Sequence, residues 1–309
     1  MPVTSADSTD AAHPRLRLDP IASTPVATST KLAAQLSKRG PHKVLRGDLA
    51  LAGQPGVVFT PEQGYGLPAV AFGHGWLLGA GRYTETLKHL ASWGIVAAAP
   101  DTERGPIPSH RGLATDLGTV LGIMTGIRLG TGDISVHPDK LALAGHGMGA
   151  SIAVLAAAAR SDVKAVAALF PAPSAPSAEA AAASLTVPSL VLGDAAFADS
   201  LNDNTLALAG ACNPPSVFRR VDKASSDGIV EGRRLLAPIG VGGTEKSTVR
   251  TVRVLLTAFL LFHVAGEKKY EDLAGAAELK GTRVIDPHAP IAEQPKPSPL
   301  SAARALIGR

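Results

Sequence analysis

Apolar and polar positions along this chain fall into short β-type runs that alternate with longer helical stretches. From Val44 onward VLRGDLAL and GVVFTP, separated by a turn signal, read as an antiparallel pair at a sheet edge. The alternation then begins. LPAVAFGHG reads as a third strand and is followed by a helical stretch from Arg82 to Trp93. IVAAAPDT is a fourth strand and leads to a helix from about His110 to Ile127. KLALAGHG, a fifth, runs straight into the almost wholly apolar Met148–Arg160. VKAVAALFPA and VPSLVLGD are two more strands, separated by an Ala/Ser/Pro-rich insertion near 173–185. PSVFRRVDK reads as the last strand, and a long amphipathic helix from about Gly243 to Gly266 closes the pattern.

Apolar strands alternating with helices predict a mostly parallel sheet covered on both faces, a doubly wound α/β domain. Residues 1–28 mix Pro, Ser, Thr and Asp without periodicity and read as a mobile arm. The domain is expected over 29–268, with a Pro-rich tail over 269–309 lying on the surface or loose. No internal repeat is evident.

Composition narrows the classes. Hydrophobic residues make up 45% and charged residues 18%, which is globular, while aromatics at 4% imply a core of Val, Leu, Ala and Ile. The net charge of +4 is scattered, without a basic run interleaved with aromatics, which argues against nucleic acid as a partner. The polar N-terminus has no apolar signal-peptide stretch. The apolar run from Val254 to Ala265 falls short of the roughly 20 residues that a membrane span needs. One cysteine, Cys212, excludes an intrachain disulfide, and a cytoplasmic location is expected.

The candidate chemistry lies in Gly145-His146-Gly147-Met148-Gly149, between an apolar strand and a helix. That is the context of the G-x-S-x-G nucleophile elbow, where small flanking residues let a strand turn sharply into a helix. The middle position holds Gly147 instead of serine. With GHGW (Gly73–Trp76), ASWGIVAAAPDT, HPDKLALAGHGMG, VPSLVLGD and PSVFRRVDK, the chain over about 43–265 resembles the α/β-hydrolase superfamily. The resemblance is to its dienelactone hydrolase, cutinase and polyester hydrolase branch.

The resemblance implies a triad in the order nucleophile, acid, histidine. The acid position falls near Ala196, flanked by Asp194 and Asp199, and the histidine position near Ser225 and Ser226. Gly147, Ala196 and Ser226 are therefore expected to be vestigial. No histidine occurs between His146 and His263, and His263 lies inside the closing helix. A serine nucleophile needs an imidazole to take its proton, so no catalytic residue is assigned.

His74, Gly75 and Trp76 resemble the segment that supplies one oxyanion donor, here the Trp76 N–H, and the Met148 N–H is the expected second. With His146, Gly147 and Asp194 they form the expected ligand pocket. No cofactor and no metal are expected, since two histidines without a third ligand do not make a zinc site.

Three readings remain open. The first is a pseudo-hydrolase that binds a small molecule or a protein at the former active site. The second is a carboxylic ester hydrolase or lyase with a rearranged site, pairing His146 or His74 with Asp194, Asp199 or Asp227. The third is a structural subunit that packs a partner against Leu255, Leu256, Phe259, Leu260 and Phe262.

Overall fold

A computed structural model describes residues 26–194, 203–232 and 244–289. Nine strands form one sheet in the order β1-β2-β4-β3-β5-β6-β7-β8-β9. β1 (Val44–Asp48), β2 (Gly56–Pro61) and β4 (Val96–Pro100) are joined antiparallel. From β4 inward the sheet is parallel through β3 (Gly64–Gly73), β5 (Ile134–His146), β6 (Val163–Leu169), β7 (Ser189–Gly193) and β8 (Ser216–Val221). β9 (Thr282–Val284) closes the far edge antiparallel to β8. The expected edge hairpin and doubly wound α/β sheet are both present.

Period-two alternation sorts the strand side chains between two cores. Val70 and Phe72 of β3, with Ala142 and Ala144 of β5, face one core; Ala69, Ala71, Leu141 and Leu143 face the other. The first core is covered by α1 (Val26–Leu36), α2 (Thr84–Ser92) and α7 (Lys246–His263). The second is covered by α3 (His110–Gly126), α4 (Met148–Ala158), α5 (Ala178–Ala182) and α6 (Thr205–Ala211). α4 is buried along nearly its whole length because it crosses the middle of the sheet.

Several elements differ from the sequence expectation. β1 stops at Asp48, whose carboxylate accepts from Ala50 N–H and starts a short 3₁₀ turn over Leu49–Ala52. α6 was not expected, because TLALAGA is too short to show a helical period. PSVFRRVDK is not the final strand: the chain beyond α7 turns through α8 (Glu271–Ala274) into β9, and Tyr270 and Leu273 join the first core. A buried arginine holds this return. Arg219 on β8 is 1% exposed and donates to the carbonyls of Gly275 (2.6 Å) and Ala277 (2.8 Å).

The apolar face of α7 is spent within the chain. Leu255, Leu256, Phe259 and Leu260 are buried, with α1, α2 and α8 packed against the helix. Phe262 is half-buried. Among the described residues no helix is long and apolar enough to cross a membrane.

Candidate functional site

The elbow sits where β5 meets α4 at the carboxyl edge of the sheet. Three glycines permit the approach of strand and helix. A Cβ on Gly149 would lie 2.3 Å from the Gly73 carbonyl, and one on Gly145 would lie 2.1 Å from the Gly149 carbonyl oxygen. Between them Gly147 adopts φ 57°, ψ −119°, a corner of backbone space that L side chains disfavour. Gly147 N–H donates to Leu169 on β6, and its carbonyl accepts from Ala150 and Ala172. The strand-to-helix turn thus has glycine, with no side chain, at its centre. Room for a side chain remains there: the nearest atom to a notional Cβ at Gly147 is Gly75 Cα, 3.8 Å away.

His146 is 3% exposed, and both of its ring nitrogens are engaged. Its Nε2 lies 2.8 Å from the Ser226 carbonyl and its Nδ1 2.7 Å from the Tyr83 hydroxyl. A carbonyl only accepts, so Nε2 carries a proton, and in the neutral ring Nδ1 accepts from Tyr83. The Tyr83 oxygen in turn accepts from Gly75 N–H at 3.0 Å. A continuous chain therefore runs from Gly75 through Tyr83 and His146 to Ser226. Tyr83 and Phe170 also pack their rings around His146, at centroid distances of 5.7 and 6.2 Å.

Ser226, expected where the hydrolase histidine belongs, lies beside the elbow at the start of a short 3₁₀ turn, Ser226–Ile229. Its N–H donates to Asp194 Oδ2 at 3.0 Å, so the peptide of Ser226 joins Asp194 to His146. Glu245 anchors the same loop by accepting from the Ser225 hydroxyl (2.7 Å) and N–H (3.2 Å). Ala196 and Asp199 lie outside the described residues.

His74 is fully buried, with Nε2 2.7 Å from the Thr102 carbonyl and Nδ1 3.0 Å from the Gly75 carbonyl. Its ring is tied to backbone and shapes the turn. That turn, closed by Leu78 N–H on the Gly75 carbonyl, presents Trp76 and Leu77 at its tip, 55% and 50% exposed. The Trp76 indole N–H reaches the Pro106 carbonyl at 3.1 Å and joins this turn to the loop after β4. Neither the Trp76 nor the Met148 backbone N–H has an acceptor among the described residues.

The loop after β4 satisfies itself. Asp101 pairs with Arg104 at 3.1 Å, Thr102 donates to Asp116, and Glu103 accepts from Ser109 N–H. His263 packs on Phe259 and Phe262 at the end of α7, and burial lowers its pKa. No cluster of three His, Cys, Asp or Glu suited to a metal occurs among the described residues.

Two residues at the site had no signal in the sequence. Tyr83 reaches His146 from a 3₁₀ turn 63 positions earlier. Asp203 is half-buried, and its partial desolvation, together with the charge of Asp194, raises its carboxyl pKa; contacts to Thr205 oppose the shift.

The model of the Chlorophyllase family, an α/β-hydrolase-like family, matches residues 42–191. The match spans the edge hairpin, the GHGW turn and the elbow, and ends ahead of Asp194 and Ser226. Over these residues the chain is similar to that family. No curated protein matches it.

Proposed function

We propose that this protein is a pseudo-hydrolase: it does not form an acyl-enzyme, and it acts by binding a ligand at the former active site. The observation that carries the reading is the state of the elbow. Gly147 offers no attacking oxygen, and the adjacent imidazole of His146 is held by Tyr83 and Ser226. Proton transfer from a nucleophile or a water needs an imidazole nitrogen free to accept. At His146, Nδ1 already accepts from Tyr83 and Nε2 already donates to Ser226.

What persists is the receptor for an oxygen. The N–H groups of Trp76 and Met148 flank the elbow, and the vacant space over Gly147 borders Gly75. Such donors serve a carbonyl or carboxylate oxygen whether or not a bond is broken. The exposed Trp76 and Leu77 side chains, with Ile107 nearby in sequence to Pro106, supply an apolar rim. The ligand class is a carboxylate or ester with a short apolar chain.

Turnover of short and medium acyl nitrophenyl esters by the purified full chain tests the reading, beside thermal-shift titration with the matching carboxylates. Background hydrolysis only, with a saturable rise in melting temperature, is expected. Ester turnover that disappears in His146→Gln would overturn the proposal and favour the rearranged enzyme.

A further inference from the structure

A second site lies away from the elbow, in a cleft of about 390 Å³ between the edge hairpin and the helices that cover the first core. Ser37 and Arg39 reach it from the end of α1, Arg46 from β1, Glu85, Lys88 and His89 from α2, and Arg253 from α7. Val44, Leu45 and Phe59 form its apolar wall. Four cationic side chains therefore face a single carboxylate.

The pairing of these charges leaves the cleft short of anions. Glu85 is taken by Lys88 at 2.8 Å. Arg253 is taken by Glu231 at 3.1 Å, and Glu231 also accepts the Glu85 and Thr86 N–H groups at the start of α2. Arg39 and Arg46 make no ion pair among the described residues. An exposed arginine alone is ordinary solvated surface. Here Arg39 and Arg46 line one concave cleft together with Lys88 and Arg253, against the single carboxylate of Glu85 and beside an apolar wall.

We propose that this cleft binds the phosphate group of a phosphate monoester, with Arg39 and Arg46 as its principal charge partners. Guanidinium forks match the oxygens of a phosphate in paired hydrogen bonds, which favours this dianion over a single carboxylate. The apolar wall accommodates the carbon portion of the ester. The volume lies within the range of small-molecule sites.

The same chemistry is carried by a soluble phosphate ester and by the headgroup of phosphatidic acid. The test uses the full chain at low ionic strength. Calorimetric titration with inorganic phosphate and with glycerol 3-phosphate is run beside cosedimentation with phosphatidylcholine vesicles, with and without phosphatidic acid. R39Q/R46Q is expected to weaken phosphate binding at least about tenfold. Both arginines are exposed, so the variant should melt as the wild type does. Lys164→Gln, a cation of β6 outside the cleft, should bind as the wild type. Binding of the soluble ester alone supports a free metabolite, and acid-dependent cosedimentation lost in R39Q/R46Q supports the lipid headgroup. No binding in either arm, or binding that R39Q/R46Q leaves unchanged, overturns the proposal.

Discussion

The elbow and the cationic cleft solve opposite problems with the same kinds of side chain. At the elbow a buried histidine is matched on both nitrogens, by Tyr83 and by the Ser226 carbonyl, and the open donors belong to the backbone. In the cleft a histidine just as buried leaves Nε2 without a partner, and two arginines beside it have no counter-ion among the described residues. A satisfied network of this kind holds backbone in place. Position in the inherited fold therefore does not by itself identify where charge recognition takes place.

The strongest test of the elbow as a rigid frame is Gly149→Ala. Its Cβ would meet Gly73 backbone at 2.3 Å, which no side-chain rotation relieves. A loss of about 4 kcal/mol or more is expected in chemical denaturation. A near-wild-type midpoint would mean that strand and helix can part at the elbow.

Next in size is a pH effect centred on the cleft. Burial and the charge of Arg253 push His89 down to about 4, the Leu36 carbonyl pulling the other way. The unfolded ring has an ordinary pKa near 6.5 and so takes up its proton first as the pH falls. His89 therefore favours the folded state fully above about pH 6.5, and that contribution is lost between pH 6.5 and 4. The difference amounts to roughly 3 kcal/mol. Denaturation of wild type and His89→Leu at pH 7.5 and 4.5 measures it. The wild type should lose more stability than the variant, and parallel losses would place the proton elsewhere.

The smallest effect is expected from Gly147→Ser. A side chain has room there, with Gly75 Cα at 3.8 Å, so the penalty is the backbone conformation alone, about 1–3 kcal/mol. Melting temperature should fall, and ester hydrolysis should not appear, since His146 is held by Tyr83 and Ser226. Vigorous turnover by this variant would show that a base is available after all.

Much of the fold could be read in the chain because its signals are local. The buried strands VAAAP and SLVLG and the glycines around His146 each announce their own element. Where the signal was absent, partners distant in sequence supply the structure. β9 depends on β8 and on Arg219, and PSVFRRVDK gives no hint that its arginine will be buried. The site divides in the same way. The glycine pattern around Gly147 and the turn at His74–Trp76 are local features of the sequence, whereas the position near Ser226 was only what the resemblance implied. The engagement of His146 was not legible, because Tyr83 and Ser226 approach it from opposite directions along the chain.

The sequence alone determined the α/β alternation and the elbow with glycine at its centre, since periodicity and a strand-to-helix glycine pattern are properties of neighbouring residues. Only the tertiary structure decided which polar groups are matched and which are not. Hydrogen-bond satisfaction and desolvation depend on what packs around a group, and His146 and His89 are the same residue type in different surroundings.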